Sequence, residues 1–155
     1  MGIMDWIKGS AKGGEAVSAE PPAAGDKGAE VAGLNFMSAI DAHMKWKTRL
    51  ESYIQGTSNE DLKADIVCRD DVCPLGQWIY GAGGERFSQS DTFGDMKNHH
   101  ATFHQCAGNI IKAAQAGEKE SALKMLQVGD YVKASERVKM QLARLFVQVN
   151  ENKNS

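Results

Sequence analysis

Apolar residues recur at intervals of three and four along three long stretches of the chain, the signature of amphipathic helices. From Leu34 to Ile54 the set is Met37, Ile40, Met44, Leu50, Tyr53 and Ile54, and Gly56 suits the position after a helix end. Ser58 or Asn59 can cap a short turn beginning at Glu60. Pro74 fits the first position of a short helix, with Cys73 at its cap and Gly81 and the glycines after it as its end. A second long helix starts at Ser90 or Asp91 and runs to about Ala116, with Gly117 as its stop. Its broad apolar face carries Phe93, Met96, Phe103, Ala107, Ile110 and Ile111, together with His100 and His104. A third spans roughly Glu118 to Val149, through Leu126, Tyr131, Val138, Leu142 and Leu145. Gly94, Gly108 and Gly129 weaken these helices, at about 1 kcal/mol each relative to Ala. Gly108, one turn beyond His104, also permits close backbone approach. No stretch carries a strand signal. The predicted fold class is all-α: an antiparallel bundle of three long helices plus a short fourth.

Residues Gly9 to Gly33 interrupt this periodicity. They are rich in Gly, Ala, Glu, Ser and Pro and read as a flexible linker. Residues 1–33 are thus expected to be a flexible tail, 34–150 the folded bundle and 151–155 a C-terminal tail. The tip Met1–Lys8 carries Met1, Ile3, Met4, Trp6 and Ile7, which suits either a frayed end or a docking peptide. Asp5 and Lys8 break any secretory apolar run, and nothing approaches the roughly 20 apolar residues of a membrane span. A cytoplasmic protein without membrane insertion is expected, with its thiols reduced. A net charge of −2 over 155 residues argues against a nucleic-acid partner.

The chemistry lies in four histidines and three cysteines. His100 and His104 are four apart, so a helix places both imidazoles on one face. No Glu stands between them as in H-E-x-x-H, so a hydrolytic centre is not indicated. His43 lies on the first helix. Cys73 lies at a helix N-terminus, where backbone N–H groups favour a thiolate. Taken singly, His43 reads as a buried core or boundary residue and Cys73 as a small core residue, while the His100/His104 pair reads equally as a ligand pair or as chance. Taken together, three imidazoles and one thiolate fill a tetrahedral Zn²⁺ shell. Asp70 and Asp71 could orient a ligand from the second layer or be solvated loop acids. Trp46, Trp78 and Phe103 are expected to pack round the site. Cys68, His99 and Cys106 are left as bystanders, with Cys68 a candidate resolving thiol for an oxidised Cys73.

The order His43, then Cys73 within Cys-Pro-Leu-Gly-Gln-Trp-Ile-Tyr-Gly, then His100-Ala-Thr-Phe-His104 resembles the chemoreceptor zinc-binding (CZB) domain family. The resemblance covers about Leu34 to Phe146. It implies a helical-bundle module that binds one Zn²⁺ per chain through His43, Cys73, His100 and His104. It further implies homodimers that report zinc or hypochlorous-acid-type oxidant to a chemoreceptor or diguanylate cyclase, without enzymatic activity of their own. Neither a receptor signalling hairpin nor a cyclase domain is evident in the chain, so a signalling partner in trans is expected, with Cys73 as the redox switch. The alternatives are a zinc-stapled dimerisation module without sensing and a hemerythrin or di-iron enzyme. The latter needs several carboxylates or more histidines, commonly as Glu-x-x-His pairs, and no repeated pair of that kind is evident.

Overall fold

The computed structural model describes residues 30–153. The expected tip Met1–Lys8, and the linker up to residue 29, lie outside them. The described chain is a short hairpin followed by helices: β1 (Glu30–Val31), β2 (Leu34–Asn35), α1 (Phe36–Gln55), α2 (Ala64–Val67), α3 (Pro74–Ile79), α4 (Ala82–Phe87), α5 (Asp91–Gln115), α6 (Lys119–Val128) and α7 (Asp130–Lys153). The all-α class is as the periodicity predicts. The chain forms two compact units.

The first unit comprises residues 30–39 and 71–88. The hairpin was not predicted. Its strands are two residues each, too short for any alternation to register, and pair Glu30 with Asn35 and Val31 with Leu34. Ala32 and Gly33 both have positive φ (50° and 90°), as a two-residue hairpin loop of the primed type requires. Ala32 is held there in part by Trp78, whose indole N–H donates to its carbonyl at 3.1 Å. Asn35 caps α1, its side-chain oxygen accepting from the Ser38 N–H at 2.9 Å. Phe36 meets Trp78 edge-on, with ring centroids 5.3 Å apart.

Helix α3 ends just before Gly81, as expected, but the glycine run also opens a further helix, α4, that was not predicted. A Cβ at Gly83 would lie 2.5 Å from the Trp78 indole, and one at Gly84 2.5 Å from the Ile79 carbonyl oxygen. The glycines let α4 settle directly on α3.

The second unit comprises residues 40–70 and 89–153. Thr92 near the start of α5 meets Gln148 near the end of α7, and Phe103 stacks on Tyr131. Those two helices are therefore antiparallel. Met44 of α1 meets Ser135 of α7, while Tyr53 near the end of α1 meets Gln115 at the end of α5. Helix α7 is thus antiparallel to both partners, and α1 and α5 run in the same direction. Leu50, Met96, Phe103, Ile110, Ile111 and Leu142 fill the interior.

Ser58 caps the short turn at Glu60 as the sequence predicts, accepting from the Glu60 N–H, and the next helix begins at Ala64. Two boundaries differ from the sequence reading. The predicted last helix is two, because Gly129 is extended (ψ −163°) between α6 and α7. Helix α7 continues past Val149 to Lys153. Gly56 and Gly117 take the positive φ that their helix ends need (80° and 82°).

Candidate metal centre

Within the second unit, α1 contributes His43 and α5 contributes His100 and His104. His43 precedes the buried Trp46 and Leu50 by three and seven residues, so it shares the inward stripe of α1. His100 and His104 continue the stripe through Met96, Phe103 and Ala107 on α5. The three rings converge: centroids are 5.0 Å apart for His43–His100, 5.8 Å for His43–His104 and 4.5 Å for His100–His104. All three are buried, at 2%, 0% and 1% exposure.

Burial, then the neighbouring His104 and His43, hold the His100 imidazole well below the ordinary histidine pKa. Neutral His100 keeps a lone pair for coordination. His104 Nδ1–H donates to the Val67 carbonyl at 2.9 Å. A carbonyl only accepts, so the proton sits on Nδ1 and Nε2 carries the lone pair. Phe103 walls the group, with centroids 5.2 Å from His43 and 5.4 Å from His104, and Tyr131 lies behind it at 5.0 Å. Water is thereby kept from the imidazoles.

Cys73 belongs to the first unit. It caps α3 and is fully buried, and its Sγ accepts the Gly76 N–H at 3.3 Å. The predicted helix cap is as expected, with Pro74 in the first turn.

The other predicted residues fall as follows. Trp78 packs on Phe36 and Phe87 and donates to Ala32. Trp46 carries the Arg49 guanidinium 3.8 Å above its ring, and Arg49 also pairs with Glu60. Asp70 is half-buried and Asp71 exposed. His99 is half-exposed and outside the imidazole group. Cys68 and Cys106 are thiols; burial, then Asp130, pushes the Cys106 thiol up, which disfavours the metal-binding thiolate. The Val67 carbonyl had no signal in the sequence, since a backbone acceptor is carried by every residue type. Tyr131 was read as core, and only packing places it behind Phe103.

These donors suit zinc. Buried neutral imidazole is a borderline nitrogen ligand and a cysteine sulfur a soft one, whereas Mg²⁺ and Ca²⁺ prefer oxygen. His43, Cys73, His100 and His104 are buried and each offers one ligand atom. No carboxylate joins them among the described residues, which disfavours the di-iron alternative.

A helical protein with a buried histidine cluster of this kind is a metal-binding module. Residues 43–111 match the family model of the chemoreceptor zinc-binding domain, which supports placing the chain in that family, as its motifs imply. The cofactor that this family and these donors define is one zinc ion. No curated protein and no solved structure matches the chain. No helix among the described residues is long and apolar enough to cross a membrane.

Proposed function

We propose that the protein is a cytoplasmic zinc-dependent regulatory module, without catalytic activity, acting as a homodimer through a signalling partner in trans of the chemoreceptor or diguanylate cyclase type. The observation that carries the zinc reading is the buried, converging imidazole group of His43, His100 and His104. In this proposal the three histidines and the Cys73 thiolate close a tetrahedral shell, leaving no position for a catalytic water. Zinc supplies a cross-link that favours the folded form.

Cys73 is the reactive ligand. Its thiolate reacts with hypochlorous acid to give sulfenic acid and chloride: the sulfur loses two electrons and chlorine gains them. The sulfenic acid is a poor zinc ligand, so the cross-link loosens while the histidines remain. Asp70, Asp71 and Trp78 retain supporting roles in this reading, the acids by orienting ligands and Trp78 by fixing the α3 segment that bears Cys73.

Zinc competition against a chromophoric chelator, before and after hypochlorous acid, tests this. Near one zinc per chain is expected, with affinity lost on oxidation in the parent. Cys73→Ala should bind more weakly and no longer respond to oxidant. A parent that carries no zinc, or an oxidant response that survives Cys73→Ala, refutes the corresponding part.

A further inference from the structure

Residues Leu62 to Cys68 lie along α5 as a strap held at three points. Gln115 Nε2–H donates to the Leu62 carbonyl at 3.0 Å. His104 Nδ1–H donates to the Val67 carbonyl at 2.9 Å. Between them is Gly108. A Cβ there would stand 2.6 Å from Cys68 Cβ and 3.2 Å from both Cys68 Cα and the Ala64 carbonyl oxygen. Gln115, Gly108 and His104 are separated by seven and four residues, so they share one face of α5. The strap runs down that face against the direction of the helix and touches bare backbone at its middle.

None of the atoms facing Gly108 is the end of a flexible side chain. A methyl group at 108 therefore has to move the strap. The nearest functional consequence is at Val67, whose carbonyl belongs to the last turn of α2, where helix carbonyls have no partner within the helix. That carbonyl fixes which nitrogen of His104 bears the proton. A strap pushed outward lengthens this hydrogen bond, and the imidazole can then turn or change tautomer.

We propose that Gly108 is a positioning residue for the metal centre: its missing side chain lets the strap lie on α5, so that the Val67 carbonyl holds His104 Nδ1–H and Nε2 faces the zinc ion. The proposal rests on the zinc reading above, and its test has one arm independent of metal.

The full chain is compared with Gly108→Ala, with the control Gly94→Ala, and with Cys68→Gly/Gly108→Ala. Gly94 is on the same helix, but a Cβ there meets nothing within 4 Å. In the metal-free arm, long-range ¹H–¹⁵N correlation reads the His104 tautomer. The parent should show Nδ1–H, and Gly108→Ala a mixed or reversed pattern. In the zinc arm, chelator competition should show Gly108→Ala binding about tenfold or more weakly, the usual scale for loss of a ligand's supporting hydrogen bond. Gly94→Ala should bind as the parent does. The double variant should recover most of the loss, because the nearest clashing atom is gone.

Parent-like affinity and tautomer in Gly108→Ala overturn the proposal, as does failure of the double variant to recover. If Gly108→Ala does not fold, Gln115→Ala releases the strap without a clash and must weaken zinc in the same direction; unchanged binding there overturns it equally. A parent that binds no zinc defeats the functional reading, while the metal-free tautomer still decides the role of Gly108.

Discussion

At the scale of single residues, burial sets the protonation that the site needs. His100 is fully buried and held neutral, its pKa lowered first by desolvation and then by its two histidine neighbours. As pH falls, the unfolded chain takes up a proton near 6.5 that the folded chain refuses. In the zinc-free protein, stability should be level above about pH 6.5. Below that it should decline by up to about 1.4 kcal/mol per pH unit for each histidine kept neutral. Thermal unfolding in chelator at successive pH values measures this, and a midpoint that does not move between neutral pH and pH 5.5 contradicts it. Tyr131 presents the converse case. Its ring packs behind Phe103, and its buried hydroxyl has no hydrogen-bond partner among the described residues. Burial also pushes its pKa up, so it stays neutral. Tyr131→Phe keeps the ring and removes that hydroxyl. Denaturant unfolding should therefore show stability unchanged or raised by up to about 1 kcal/mol, and a clear loss would reveal a partner for the oxygen.

Between elements, the glycines decide how closely helices approach. Gly83 faces the Trp78 indole with no room for a methyl group. Gly83→Ala should gain about 1 kcal/mol of helix propensity but lose about 1–3 kcal/mol to overpacking, for a net loss. A lowered melting temperature with altered tryptophan fluorescence is expected, and a more stable variant would show that α4 does not depend on this contact. The sequence reading took Gly81–Gly84 as the stop of α3, which it is, but missed that the run also seats α4, because a glycine run has the same composition whether it ends a helix or begins one. Gly108 was legible in part: its place one turn past His104 pointed to close approach, but not to what approaches. Gly129 was treated as a weak point inside one helix, whereas its extended backbone separates α6 from α7. Helix starts were clearer where a cap was chemically distinct, as at Cys73 before Pro74 and at Ser90, which accepts from the Phe93 N–H.

For the whole molecule, zinc is expected to act as a folding ligand. At a free concentration one hundred times its dissociation constant it should add about 2.7 kcal/mol to stability. Chelation should lower the melting temperature and re-addition restore it, with the gain reduced in His43→Ala or His104→Ala; a melt indifferent to chelator would count against a zinc-dependent fold. The sequence alone determined the helical class, the inward stripes of α5 and α7, and the donor types. Those follow from a repeat of 3.6 residues per turn and from side-chain chemistry, both of which are local. Of the apolar positions read on α1, Leu50 and Ile54 are buried, whereas Met37 is exposed and Trp46 takes an inward place instead. Tertiary structure decided the rest. It made α1 and α5 run in the same direction, a choice left open by the long connection between them. It brought His43 within 5.0 Å of His100 across 57 positions of the chain, and it set the Val67 carbonyl on His104. Spacing along one helix places two imidazoles together, but the third imidazole and the acceptor that orients His104 come from packing between segments distant in sequence.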